Sequence, residues 1–83
     1  MIYRAKIEVS LKPGHSDPEG ETTAESLKEL GYPVEATKVS KVYEITLSAS
    51  SVKETNRLVD EMCRRLLANP TKDNYSFTIE EMQ

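Results

Sequence analysis

Apolar and polar residues alternate from the first position of this chain. Met1, Tyr3, Ala5, Ile7, Val9 and Leu11 share one parity, and Arg4, Lys6, Glu8, Ser10 and Lys12 the other, with Ile2 the exception. A period of two over this length predicts a strand, Met1–Leu11, with one face buried and one solvated. The pattern stops at Leu11–Gly20, LKPGHSDPEG, where two prolines, two glycines and His15, the only histidine of the chain, fall within ten residues. Pro13-Gly14 is a turn pair, since proline presets φ near −65° and glycine tolerates the positive φ that follows. Asp17-Pro18 reads as a helix start, with a carboxylate to cap free N–H groups and proline at the first helical position.

A helical pattern follows. Ala24, Leu27 and Leu30 recur every third residue and predict a narrow stripe laid against a sheet, while Glu19, Glu21 and Glu25 load the end that the helix dipole favours. Gly31 and Pro33 terminate it. Thr22 with Glu25 also fits a capping box, but the start at Pro18 is preferred. Val34–Leu47 reads as a second strand, with Val39, Tyr43, Ile45 and Leu47 on one face and Val34, Ala36 and Val42 on the other. At about 3.3 Å per residue it would span roughly 45 Å, against a radius of gyration near 12 Å for a domain of this size. It must therefore bend, break near Lys38–Ser40, or pair with another subunit.

Ser50 or Ser51 caps a second helix, Glu54 standing three residues after Ser51 as a capping box requires, and its stripe runs Val52, Thr55, Val59, Met62, Cys63 and Leu66, widened by Leu58 and Leu67. Asn69-Pro70 ends it, and Asn74–Glu80 alternates as a third strand with Tyr75, Phe77 and Ile79 on one side. The chain is thus expected to be α+β, a small β-α-β-α-β domain over residues 1–83. Its three-stranded sheet would carry both helices on one face, and helix-linked strands would lie parallel where adjacent. One sheet face, bearing Ile2, Ala36 and Val42, and at least one edge stay open, so the sheet is expected to be extended or covered by oligomerisation.

Composition narrows the function. With a net charge of −3 and a pI near 5.1, the chain lacks the clustered cations that phosphate backbones require. RNA binding through sheet aromatics is disfavoured too, because Tyr3, Tyr43, Tyr75 and Phe77 fall on the face expected to be buried. No apolar run suits a membrane span, the alternating N-terminus is no signal peptide, and a lone cysteine fits a reducing cytoplasm. Cys63 lies on the apolar stripe and reads as a core thiol, His15 as an exposed loop residue without a metal partner, and Asp17 as a cap. The loop between Pro13 and Gly20 could hold an anion at a helix start, although it carries no phosphate-loop pattern. The residues themselves describe a partner-binding domain, with a small-molecule-binding regulatory domain as the alternative.

Four stretches, in register over the whole chain, resemble the PurS family, the small subunit of phosphoribosylformylglycinamidine (FGAM) synthase. They are the strand entering LKPGHSDPEG with a helix ending in LGY; TKVSK leading into YEITL; MCRRLLANP; and NYSF. The resemblance implies a non-catalytic subunit of a glutamine-dependent, ATP-consuming ligase complex in purine biosynthesis. It implies a bridge between a synthetase (PurL-type) and a glutaminase (PurQ-type) subunit that assists ammonia transfer to formylglycinamide ribonucleotide. It further implies a homodimer or homotetramer, with no cofactor of its own while the complex uses ATP and Mg. By position, Pro13, Gly14, His15, Asp17, Pro18, Gly20, Lys38 and Lys41 are the candidate partner contacts.

Overall fold

The computed structural model describes residues 1–82. Three strands, β1 (Ile2–Leu11), β2 (Lys41–Ser48) and β3 (Asp73–Met82), and two helices, α1 (Pro18–Glu29) and α2 (Val52–Met62), occur in the expected β-α-β-α-β order. The sheet order is β2-β1-β3, and both pairings of β1 are antiparallel. The parallel pairing expected of adjacent strands is therefore corrected. Val9 pairs with Lys41, so β2 starts at the end of the sheet where β1 finishes. Lys12–Ser40 goes out from that end and returns to it. Only β2 and β3, joined through α2, run parallel, and β1 lies between them.

Alternation sets the two faces. On one, the register aligns Ile45, Ala5 and Ile79 in one row and Tyr43, Ile7 and Phe77 in the next, small Ala5 sitting between two branched neighbours. α2 packs on this face. Thr55, Val59 and Cys63, spaced four apart, are fully buried, Val59 and Cys63 clustering with Ala5, Ile7 and Val9, and each large apolar side chain hidden this way contributes about 1.5–3 kcal/mol. Buried Thr55 is satisfied locally, its hydroxyl donating to the Ser51 carbonyl at 2.8 Å. Ser51 caps α2, its Oγ accepting the Glu54 N–H at 3.1 Å. The helix then widens into a single π turn, Cys63–Leu67, before the chain leaves for β3. Across the packing, Tyr75 Oη donates to Asp60 at 2.6 Å, and Arg64 Nε holds the other oxygen of the same carboxylate at 2.8 Å.

The other face is polar and open. It carries Arg4, Lys6 and Glu8 between Glu44, Thr46 and Thr78, with an ion pair from Arg4 to Glu80 at 3.3 Å. Ile2 and Val42 stand exposed on it as expected. Ala36 does not, because residues 34–40 lie outside the sheet.

Two further expectations change here. The second strand begins at Lys41 rather than Val34, and residues 34–40 form no strand at all. And only α2 lies on the sheet. α1 supplies no side chain to the core cluster; its buried residues are Gly20 and Ala24 alone. It faces Glu35, Ala36 and Thr37 of its own return segment across a shallow hollow. Gly31, at φ 95°, reverses the chain after the helix. α1 and the segment after it thus form an arm projecting from one end of the sheet. The radius of gyration is 16.4 Å and the extents are 51 × 30 × 13 Å, where a compact chain of this length would measure about 12 Å in radius.

Candidate partner-contact site

The root of the arm is a built structure. Beyond β1 the ladder continues for one bond, Lys12 N–H to the Lys72 carbonyl at 2.7 Å, and Lys12 Nζ reaches the Pro70 carbonyl at 2.9 Å. The Asn69–Asp73 loop behind it is tied by Asn69 Oδ1, which accepts from Thr71 and Lys72, and by Asp73 Oδ2, which accepts from Asn69 N–H at 2.9 Å. On this base Pro13-Gly14 turns the chain, with Gly14 at φ 89° and His15 N–H donating back to the Lys12 carbonyl at 3.4 Å. Positive φ at that position favours glycine.

Asp17 then joins two segments that are far apart in sequence. Its Oδ1 accepts the Gly20 N–H and its Oδ2 the Val39 N–H, each at 2.9 Å. One carboxylate therefore caps α1 and anchors the returning chain. Those two backbone donors, Val39 first, with Lys38 nearby, hold its carboxyl below the ordinary carboxylate value. Gly20 is where helix and return segment touch. A Cβ there would collide with the Thr37 carbonyl oxygen and lie 2.7 Å from Asp17 Oδ2. Only a residue without a side chain lets the backbones approach this closely.

The result is a cleft of about 360 Å³ between the Leu11–Asp17 turn and Lys38–Ser40. Five of the eight residues singled out from the sequence, Pro13, Gly14, His15, Asp17 and Lys38, line it. Lys41 lies next to it, in a hollow shared with Asp17, Glu19 and Val39. Pro18 is the first residue of α1, and Gly20 secures the crossing beneath. The sequence reading missed Lys12 and the Val39 backbone. Lys12 looked like one more solvent-side residue of the strand, and no side-chain pattern marks a backbone N–H as an anchor.

The arrangement offers hydrogen-bond donors and a braced backbone. Lys12, Lys38 and His15 supply donors around the cleft, while both oxygens of Asp17 are occupied by backbone N–H groups, which suits a strut better than a proton carrier. Cys63, behind the sheet, is fully buried; burial first, then the Asp60 carboxylate, push its thiol above the ordinary value, so it packs as core. Elsewhere the surface shows a second concavity that the sequence did not mark. It is an apolar groove of about 420 Å³ between Ile45 of β2 and Leu58, Met62, Leu66 and Leu67.

Fold and cleft together define a small α+β domain with a braced cleft at one end of a thin, open sheet. Residues 4–81 match the family model described as PurS: phosphoribosylformylglycinamidine (FGAM) synthase. The chain belongs to the PurS family. The PurS subunit of that synthase from Archaeoglobus fulgidus is 41% identical over 78 residues, covering 93% of this chain and 98% of the relative. That from Methanothermobacter thermautotrophicus is 36% identical, covering 100% of this chain and 99% of the relative. Among solved structures, Thermus thermophilus PurS superposes with a TM-score of 0.90 at 36% identity, covering 100% of both chains. A chain of the PurLQS structure from Thermotoga maritima gives 0.88 at 26% identity, covering 96% of this chain and 99% of that one.

Proposed function

We propose that this chain is the non-catalytic small subunit of an FGAM synthase complex in de novo purine biosynthesis. In this reading it bridges the ATP-dependent synthetase and the glutaminase and assists ammonia transfer to formylglycinamide ribonucleotide. The observation that carries the reading is the convergence of Pro13–Gly20 and Lys38–Lys41 into one braced surface on a chain akin to PurS subunits over its whole length. Ammonia released from glutamine must reach an amide activated by ATP before it protonates in bulk water. A subunit that holds two active sites in register needs rigid surfaces rather than acid–base residues. ATP and Mg belong to the partners in this scheme, and the assembled enzyme works in the cytoplasm. No helix among the described residues is long and apolar enough to cross a membrane.

Reconstitution tests the reading. The synthetase and glutaminase should show glutamine-dependent amidation only when this chain is added, and Lys38→Glu with His15→Glu should weaken assembly. Full glutamine-dependent activity of the two partners alone would overturn it. The cleft volume favours a second reading, since about 360 Å³ lies within the roughly 300–1,000 Å³ usual for small-molecule sites. A regulatory ligand there would raise the melting temperature in a screen of nucleotides and amino acids, by mass action on the folded state. No shift with any of them would leave the bridging subunit as the sole reading.

A further inference from the structure

Every arginine of this chain meets a carboxylate: Arg4 pairs with Glu80, Arg57 with Glu54 and Glu61, Arg64 with Asp60, and Arg65 with Glu61. Among the described residues, Lys12, Lys38 and His15 enter no such pair. All three line the cleft at the root of the arm. Asp17 is the one carboxylate on its wall, and both Asp17 oxygens are taken by the Gly20 and Val39 N–H groups. Two lysines against one carboxylate make the cleft locally positive in a chain of net charge −3, before His15 is counted.

The unused hydrogen-bonding capacity of the cleft is donor capacity. Lys12 Nζ gives one N–H bond to the Pro70 carbonyl at 2.9 Å, which fixes the ammonium and leaves its other donors for a second acceptor. Lys38 brings an ammonium from the opposite wall, the His15 imidazole at least one N–H, and Ser10 and Ser40 a hydroxyl each. Donors arriving from both walls suit an anion with several oxygens. A phosphate monoester has three free oxygens and about two negative charges at neutral pH, and an ammonium binds it as a point charge. A carboxylate, with fewer oxygens and a single charge, leaves more of these donors unmatched. Size adds to this. The cleft, about 360 Å³, has the volume of about a dozen water molecules, more than a bare phosphate fills. Leu11, Pro13 and Val39 form the apolar part of its wall, where the carbons of an attached body would lie. A sugar phosphate is a body of that size, whereas the base of a whole nucleotide would project into solvent. The Asp17 brace holds the two walls at a set spacing beforehand, so little ordering cost opposes binding.

We propose that the cleft binds the phosphate monoester of a small polar metabolite, of sugar-phosphate size. Lys12, Lys38 and His15 donate to the phosphate oxygens, and the carbon body lies against Leu11, Pro13 and Val39. The proposal rests on the small-ligand reading of the cleft and gives that ligand its chemistry.

The experiment titrates the purified full chain, isotope-labelled, with ribose 5-phosphate, ribose, inorganic phosphate and glutamate, and follows backbone amide shifts. Ribose 5-phosphate should move the amides of Leu11–Asp17 and Lys38–Ser40, inorganic phosphate the same amides with weaker affinity, and ribose none. Lys38→Ala, at an exposed position, should weaken the binding of ribose 5-phosphate by about tenfold or more, as loss of a hydrogen bond to a charged group does, and leave the melting temperature unchanged. Lys53→Ala, exposed on α2, should bind like the parent chain. Equal binding of ribose and ribose 5-phosphate, or binding of glutamate alone, would overturn the phosphate assignment and leave the cleft a small-molecule site of another chemistry. Inorganic phosphate held as tightly as the ester would overturn the sugar-sized body. Undiminished binding to Lys38→Ala would overturn the proposal by putting the ligand elsewhere. Silence of all four compounds overturns it as well, and the wider thermal screen of nucleotides and amino acids then decides separately whether the small-ligand reading survives.

Discussion

Gly20→Ala separates two opposing effects at the root of the arm. Alanine is the better helix former by about 0.5–1 kcal/mol, and at an exposed position in α1 the change would stabilise. Here the new Cβ would press into the Thr37 carbonyl oxygen and lie 2.7 Å from Asp17 Oδ2. The carbonyl belongs to backbone whose neighbour Val39 is tied by its N–H, so it cannot swing aside like a side-chain tip. Forcing a methyl group into a packed site costs about 1–3 kcal/mol, and a backbone obstacle places this case at the upper end. The net expectation is a loss of about 2 kcal/mol, or roughly thirtyfold in the equilibrium between docked and released return segment.

Because α1 supplies nothing to the core cluster, that loss should appear locally. Amide exchange at Val39 should accelerate by about thirtyfold in Gly20→Ala, and proteolysis should become faster within Glu21–Ser40. Amides of β1, whose exchange follows global unfolding, should change little. A variant with unchanged or slower Val39 exchange would refute the reasoning, since it would mean that the two backbones can part without cost.

Ser51→Ala removes the cap of the helix that covers the sheet, so it should cost about 1 kcal/mol and lower the melting temperature by roughly 4–8 °C; a calorimetric scan checks this. Ile7→Ala, at the fully buried centre of β1, should cost about 2–5 kcal/mol and move the urea midpoint far enough to populate unfolded chain in buffer. Asp17, Glu54 and Asp60 have carboxyls held below their ordinary values, by the Val39 and Gly20 N–H groups, by Arg57, and by the Tyr75 hydroxyl with Arg64, respectively. Their contribution is complete above the ordinary values, 3.8 to 4.5, and is lost as the pH falls through the folded ones. Tyr75, beside Asp60, and Cys63, by burial, are raised above 10.0 and 9.0, so their contribution is full below those values and lost as the pH rises past the folded ones. The melting temperature should therefore form a plateau between about pH 5 and 9 and fall on both sides; a steady decline from pH 7 to 5 would contradict this assignment.

What could be read in the sequence was local. Alternation over Met1–Leu11 and Asn74–Glu80 locates strands because pleat and burial share a period of two. Asp17-Pro18 and Ser51 locate helix starts because capping is chemistry between near neighbours. Pairing is not local. Nothing in the stripe of Ala24, Leu27 and Leu30 says whether it meets a sheet, its own return segment or another chain, and all three need the same spacing. The stripe of α2 likewise extends to Leu66, which looked like core and stands in water. One clue did reach beyond its own segment. The excessive length of Val34–Leu47 required a bend, a break near Lys38–Ser40 or pairing with another subunit, and a strand beginning only at Lys41, beside the end of β1, is what brings Lys38 to His15.

Arm and cleft share their foundation. The Asp17 carboxylate and the Gly20–Thr37 crossing position the return segment of the arm and also shape one wall of the cleft. A partner gripping the cleft finds that wall already ordered and meets a smaller entropic cost than it would against a loose segment. Gly20→Ala, which releases the segment without touching the cleft surface, should therefore weaken the chain's affinity for the other subunits. Linkage requires the converse: a partner bound at the cleft must slow Val39 amide exchange by the same factor. If Gly20→Ala accelerates Val39 exchange and leaves partner affinity unchanged, the partners do not grip this wall, and the cleft is not the contact surface.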